Sequence, residues 1–414
     1  MKEKWKRDIG LFLGSQTVSL FGSMLVQYAI SWYITLKTQS GTMMTISIIC
    51  GMIPTFLISP FAGVWADRYD RKKLIIIADS TIALTTVIVA VLFFMGYREY
   101  WLLFAALVIR AIGAGVQSPA VSAYLPSLVP EEQLMRINGI FGSVQALTML
   151  LCPMLSAALL TFSSIEYIFL IDVGTAALAV SILFFFLKSP VKGNSPVKAE
   201  LSYFHDIREG FRYIGRHPYI KRFFVFSAAF FFLCAPVAFL TPLQVTRNYG
   251  TEVWRLTAIE ISFSLGMTFG GIMMGVWGGL KNRVLTMALS AGLMGVFTIA
   301  LGIIPWFVPY LAIMGLFGIL MPAFNTPATV MLQEKVEDDF RGRVFGVLTM
   351  ISTIMMPAGM LIFGPVADTI RIEILLVGTG VGLSAIAILM TFSHTLVRAG
   401  LPLVGAGKLE EEKK

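Results

Sequence analysis

Four ionisable side chains, Asp79, Arg110, Asp172 and Glu260, stand inside long apolar segments of this chain. A charge placed in hydrocarbon costs from about 3 kcal/mol upward, so each is expected to be paired or to face a polar cavity. Glu260 shares its segment with Ser264, Thr268, Gly271 and Gly275, at spacings of 4, 4, 3 and 4 that gather on one helix face. A lone carboxyl on a polar and small stripe is suited to taking up and releasing a proton near neutral pH. The other role open to it is a helix-packing hydrogen bond. At 1.5 Å per residue, Arg110 and Asp172 fall roughly 15 and 10 Å from the same end of their segments, so they are able to pair. Such a pair is either static, or broken when a proton neutralises Asp172. Asp79 stands only about five residues inside its segment, beside a basic run, and is expected to pair with Arg71 or Lys72.

The elements that position these residues are membrane spans. Hydrophobic residues make up 57% of the 414-residue chain and charged residues 14%, with a mean hydropathy of +0.79. Soluble domains carry roughly 25% charge. Twelve apolar segments run over 9–36, 43–66, 74–96, 101–125, 133–162, 165–187, 219–245, 254–279, 284–304, 307–332, 343–366 and 372–396. Each has the ~20 or more residues that a helical crossing requires, whereas a membrane barrel would show alternating strands of ~10 residues. The chain therefore reads as an all-α membrane protein with 12 transmembrane helices, lying in the lipid bilayer. The first helix is expected to serve as the insertion signal and to stay, because no small-residue cleavage site follows it.

The basic residues orient the spans. The termini and alternate loops carry 26 of the 32 Lys and Arg residues, the opposite loops five, and Arg110 lies within a span. By the positive-inside rule both termini are expected in the cytoplasm, across the inner or plasma membrane of a bacterium. The net charge of +8 is then a topology signal. A nucleic-acid partner is not expected, since the basic residues are spread over seven loops instead of one face. Cys50, Cys152 and Cys234 all sit in apolar segments, and His205, His217 and His394 are isolated, so neither a disulfide framework nor a metal site is expected.

A charged hairpin occurs twice. Gly63-Val64-Trp65-Ala66-Asp67-Arg68-Tyr69-Asp70-Arg71-Lys72-Lys73 is echoed 212 residues later by Gly275-Val276-Trp277-Gly278-Gly279-Leu280-Lys281-Asn282-Arg283. Ser118-Pro119-Ala120 matches Thr326-Pro327-Ala328, Phe141-Gly142 matches Phe345-Gly346, and Pro153 matches Pro357. Four matches in register imply duplication of a six-helix unit in the same orientation, hence two bundles related by a pseudo-two-fold axis along the membrane normal. The expected organisation is an amino-terminal bundle over 1–187, a cytoplasmic linker over 188–217, a carboxy-terminal bundle over 218–399 and a tail over 400–414. Within the linker, Tyr203, Ile207, Phe211 and Ile214 form one helical stripe and Arg208, Arg212 and Arg216 another. A helix of this kind is expected to tether the halves while lying on the anionic inner leaflet.

The chain resembles the major facilitator superfamily over essentially its full length. The first hairpin is similar to that family's signature Gly-x-Leu-Ala-Asp-Arg-x-Gly-Arg-Lys, with Trp65 in place of Leu and Asp70 in place of Gly. Arg110 followed by Gly113 and Gly115, and Cys152 before Pro153, approximate two signatures of its drug antiporters with shifted or lost glycines. Arg110-Ala111-Ile112-Gly113, Ser118-Pro119-Ala120, the Val129-Pro130-Glu131-Glu132-Gln133-Leu134 loop and Ile171-Asp172 resemble the branch of macrolide-efflux proteins and siderophore exporters. The resemblance implies the major facilitator fold, and a cavity lined by helices 1, 4, 7 and 10. On those helices Met24, Gln27, Gln117, Phe231 and Asn325 are candidate contacts for substrate, with methionine offering soft, adaptable surface. It also implies that Arg110 biases the proton affinity of a neighbouring carboxyl.

Asp67 is expected to act mechanically with Arg68 and Arg71. A carboxylate at this hairpin accepts from free backbone N–H groups at a helix start and complements its dipole, which makes a latch that must break in each cycle. The repeat has Gly279 in place of Asp67, so the latch is one-sided.

These features imply a secondary exporter working as a monomer. A proton gradient drives it, with no cofactor, and it expels a small amphipathic compound such as a macrolide-like drug by alternating access. No Gly-x-x-x-x-Gly-Lys-Ser/Thr loop occurs, which leaves ATP-driven pumping unsupported, and no nucleophile–base pair or metal cluster supports an enzyme. Within transport, the alternative is export of a siderophore or a lipid. Outside it, the alternative is a non-transporting membrane sensor, which a large soluble extension would favour.

Overall fold

With no water in the bilayer to take backbone hydrogen bonds, each apolar segment must satisfy its own, and a helix does so. The computed structural model of the chain describes residues 4–187 and 203–401, without the side chains of residues 4, 60, 67, 131, 203–207, 338 and 339. It contains α1 (Lys4–Thr38), α2 (Gly41–Arg68), α3 (Arg71–Phe94), α4 (Tyr100–Tyr124), α5 (Leu134–Phe162), α6 (Ile165–Phe186) and α7 (Tyr203–Arg216). There follow α8 (Pro218–Asn248), α9 (Val253–Trp277), α10 (Arg283–Ile303), α11 (Phe307–Lys335), α12 (Asp338–Thr369), α13 (Ile372–Phe392) and α14 (His394–Ala399). Twelve of these, all but α7 and α14, are long and apolar enough to cross a membrane. The last expected segment is shorter than its apolar run, because the chain breaks at Ser393 between α13 and α14. The Asp67 carboxylate, the Tyr203 and Ile207 side chains, and residues 188–202 and 402–414 lie outside the described residues.

The helix starts follow from local chemistry. Asp70, which departs from the signature glycine, caps α3: its carboxylate accepts from the backbone N–H of Lys72 (3.0 Å) and Lys73 (3.4 Å). Asn282, 212 residues on, caps α10 in the same way, through Val284 (3.0 Å) and Leu285 (3.3 Å). Both copies of the hairpin thus turn at a side-chain cap.

Chain contacts divide the molecule into two compact units, one comprising residues up to 198 with Gly250–Glu260, the other Ala199–Tyr249 with the remainder. In the first unit α1 packs on α5 and α6, α3 on α4 and α6, and α2 on α4. In the second, α8 packs on α12 and α13, and α10 on α11 and α13, which is the same scheme seven helices later. The α9–α11 contact completes it and is made backbone to backbone. A Cβ on Gly266 would fall 2.0 Å from the carbonyl oxygen of Gly315, and one on Gly270 would fall 2.3 Å from that of Ile319. In the first unit Gly113 and Gly115 bring α4 equally close to its neighbours, with Cβ positions 2.6 Å from Ile82 Cγ1 on α3 and 2.1 Å from Ile58 Cγ2 on α2. Apolar packing fills the rest. Phe93 meets Phe169 edge to face at 5.8 Å among Leu25, Ile30 and Leu103.

Helix α7 belongs to the second unit and rests on α12. Among its residues 208–216, Gly210, Tyr213 and Ile214 are buried. The Tyr213 ring stacks on Phe340 at 4.5 Å, and Glu209 pairs with Arg343 at 3.1 Å. Of the stripe read from the sequence, Ile214 is on this face, whereas Phe211 is 47% exposed. A glycine and a flat ring allow closer approach to α12 than Phe211 would. Arg208, Arg212 and Arg216 remain exposed.

The backbone contact between α9 and α11 gives a test of the fold. Gly266→Ala should destabilise the detergent-solubilised protein by about 1–3 kcal/mol through overpacking. Gly271→Ala, whose Cβ would meet nothing within 4 Å, should be neutral. Thermal unfolding of the two variants side by side decides it, and coincident curves would contradict the contact.

Candidate functional site

The interior of the first unit is polar where four helices meet. Arg110 on α4 and Asp172 on α6 are 5% and 0% exposed and form an ion pair through Nη1 and Oδ2. Thr86 on α3 stands between them, accepting from Arg110 and donating to Asp172 Oδ2 at 2.9 Å. Arg110 Nη2 donates to the carbonyl of Ser23 on α1 at 3.2 Å. Gly22 is what lets α1 approach. A Cβ there would lie 2.0 Å from Thr175 Oγ1 and 3.1 Å from Asp172 Oδ1. A guanidinium has five donors and no way to discharge, so it must be surrounded by acceptors. Those acceptors here come from α1, α3 and α6 together.

A second cluster lies further along the same helices. Asp79 on α3, 1% exposed, accepts on Oδ1 from Ser19 Oγ (2.8 Å) on α1 and from Gln117 Nε2 (2.6 Å) on α4. The expected pairing with Arg71 or Lys72 does not occur, because both cations point back to helix ends. Arg71 donates to the carbonyls of Ala66 (3.0 Å) and Ala123 (2.8 Å), and Lys72 to those of Leu187 (2.6 Å) and Phe184 (3.3 Å). The unsatisfied carbonyls at the ends of α2, α4 and α6 attract cations more strongly than a carboxylate buried two turns away. In the repeat, Arg283 pairs with the Glu334 carboxylate at the end of α11 instead.

The remaining sequence candidates fall in separate places. Glu260 is half-buried on α9. Among the described residues it makes no hydrogen bond or ion pair, and the group with which it interacts electrostatically is the Tyr28 hydroxyl of α1. Its stripe of Ser264, Thr268, Gly271 and Gly275 stays half-buried or exposed, because Ser262, Gly266 and Gly270 are the face turned to α11. Gln117 is committed to Asp79, and Gln27 lies over Gly51 of α2. Met24 is half-buried, Phe231 is buried beside Phe230 in the second unit, and Asn325 is exposed. Arg68 is exposed at the end of α2.

A family model described as Major Facilitator Superfamily matches residues 12–360. The chain belongs to the Major Facilitator Superfamily. Macrolide efflux protein A of Streptococcus pyogenes is 30% identical over 373 residues, covering 89% of this chain and 91% of that protein. Macrolide efflux protein A of Enterococcus faecalis is 30% identical over 325 residues, covering 77% and 100%. Among solved structures, the nucleoside transporter NupG superposes with a TM-score of 0.67 at 15% identity, over 94% of this chain and 98% of that one. The chain is therefore a multi-pass transporter and not an enzyme.

Within this major facilitator protein the buried charges are not duplicated, although the helices are. The offset of each helix pair places Gly318 opposite Arg110, Ala291 opposite Asp79 and Thr379 opposite Asp172. Thr298 is the counterpart of Thr86 and donates to its own helix at Met294. One pair of carboxylates is duplicated, and the sequence reading passed it over. Ile165-Glu166 and Ile372-Glu373 open α6 and α13 in the same register. Glu166 pairs with Arg98 at 2.7 Å, and Glu373 accepts from Asn248 at 2.6 Å. Each lines a cleft at its helix start, about 250 Å³ beside Glu166 and 540 Å³ beside Glu373. The repeated Ile-Glu was the signal available for finding them.

Asp172→Ala should leave Arg110 buried without its counter-ion and cost about 3–5 kcal/mol, whereas Arg110→Met with Asp172→Leu should recover most of that loss. Thermal unfolding in detergent is the measurement. Equal stability of the single and double variants would show that the pair is not desolvated.

Proposed function

We propose that the chain is a secondary exporter that uses the proton gradient to expel amphipathic compounds of the macrolide class. It acts as a monomer in the bacterial cytoplasmic membrane, with both termini inside. The observation that carries this reading is the similarity to macrolide efflux protein A over about nine-tenths of both chains. The excess of Lys and Arg in the loops on the side of the termini supports the orientation. Expression in an efflux-deficient host should raise resistance to a macrolide such as erythromycin, and an uncoupler should remove the difference. Resistance that persists with the uncoupler present argues for another driving force.

In this reading Glu260 carries a coupling proton. It is an intramembrane carboxyl with no ion pair among the described residues and has a polar stripe beside it, whereas Asp172 is held by Arg110. In proteoliposomes under a gradient of one pH unit, Glu260→Gln should accumulate about tenfold less erythromycin while retaining downhill exchange. Full accumulation by the variant would move the proton to α4 and α6.

Asp67, with Arg68 and Arg71 behind it, is the conformational latch. The Arg71 contacts to the ends of α2 and α4 support a hairpin stiff enough to transmit a pull. Asp67→Asn should lower the export rate severalfold at unchanged membrane expression, since a neutral amide complements a helix dipole less well. An unchanged rate removes the latch.

A further inference from the structure

The Asp79 cluster has an unbalanced charge that the functions above do not use. Among the described residues the buried carboxyls of the first unit are Asp79, Asp172 and Glu166, the last paired with the more exposed Arg98, and its one buried cation is Arg110. That cation is taken up by Asp172, Thr86 and the Ser23 carbonyl. Asp79 receives only the neutral donors Ser19 and Gln117, both on Oδ1. Its Oδ2 is buried with no hydrogen-bond partner among the described residues, as is Gln16 Nε2 one helical turn from Ser19. An ionised carboxylate so placed has neither counter-ion nor solvent, and a buried charge in that position takes a proton instead.

Among the described residues, the groups facing Asp79 from each neighbouring helix leave no other source of neutralisation. From α1 come Ser19 and, on the same face, Gln16. From α4 come Gln117 and the Arg110 already paired, and from α6 comes Asp172, a like charge that acts on Asp79. The charged residues of α2, Asp67 and Arg68, are at its end. On α3 itself, Arg71 and Lys72 are bound to helix carbonyls and Lys73 is exposed.

We infer that Asp79 is a proton-binding site of the amino-terminal unit, taking up and releasing one proton in each transport cycle. The assignment of that proton to the cycle rests on the proton-coupled reading above; the binding site itself does not. The O–H bond forms at Oδ2 with a proton from one aqueous phase and breaks to the other. Gln117, a candidate substrate contact, becomes on this view the link through which a ligand on α4 would reach the carboxyl.

Two measurements on the full chain test it. Infrared difference spectroscopy in lipid nanodiscs should show a protonated carboxyl C=O band at neutral pH that is absent in Asp79→Asn. Gln117→Leu, which removes a donor from Oδ1, should move the pH at which that band bleaches. Absence of the band in the unmodified protein overturns the inference. In proteoliposomes with a gradient of one pH unit, Asp79→Asn should accumulate about tenfold less erythromycin, as expected for one proton fewer per cycle, and keep downhill exchange. Full accumulation by Asp79→Asn, where the unmodified protein accumulates, also overturns it. Should the unmodified protein accumulate nothing, proton-coupled export fails, and the infrared band still decides whether Asp79 holds the proton.

Discussion

A guanidinium cannot lose its charge, so Arg110 obliges the helices around it to supply acceptors wherever it goes. In hydrocarbon that obligation organises the amino-terminal unit. α6 supplies Asp172, α3 supplies the Thr86 hydroxyl and α1 supplies the Ser23 carbonyl. Each contact fixes a distance between helices that apolar packing alone would leave free to slide. The glycines are consequences of this arrangement. Gly22 admits α1 to the Asp172 side, and Gly113 and Gly115 let α4 carry Arg110 in between α2 and α3. Moving any one of these helices exposes or strands a charge, and so the unit is expected to change shape in discrete steps.

The same economy governs the hairpins at the basic end. A helix that stops at a membrane surface leaves its last carbonyls unmet, and a cation is the cheapest partner for them. Arg71 serves α2 and α4 together, and Lys72 serves α6. The signature therefore reads as a fastener for three helix ends, with Asp70 ordering the turn that presents it. The repeat preserves the turn through Asn282 but changes the fastening to an Arg283–Glu334 pair. The duplicated hairpins thus share a geometry without sharing a binding partner.

The fold was legible in the sequence because a membrane removes alternatives. Length, hydropathy and the register of the repeats suffice to place twelve helices, and the structure moves their ends by only a few residues. The site was legible only in part. Arg110 and Asp172 stood out as charges at matching depth, and helical rise alone suggested that they meet. Asp79 was misassigned because the nearest cations in sequence were taken as its partners, although helix ends compete for cations and neutral Ser19 and Gln117 were closer in space. On α7 the reading departed at Phe211 for a similar reason. Counting apolar residues favours Phe211, whereas packing against α12 favours the residue that permits approach, Gly210, and the ring beside it.

Duplication followed by loss of symmetry accounts for the distribution of charge. Two copies of one bundle keep the packing scheme, the caps and the carboxylates Glu166 and Glu373 at the starts of α6 and α13. They do not keep the buried ions, which have become Gly318, Ala291 and Thr379 in the second copy. Gly318 shows what replaced them. A Cβ at that position would lie 2.3 Å from the Phe263 carbonyl, so α11 uses for backbone contact with α9 the place where α4 holds a guanidinium. A contact made by glycines has no charge to strand and can be tight, while a contact made by ions can be altered by a proton. The first copy thus keeps a buried ion pair at the place where the second keeps a backbone contact.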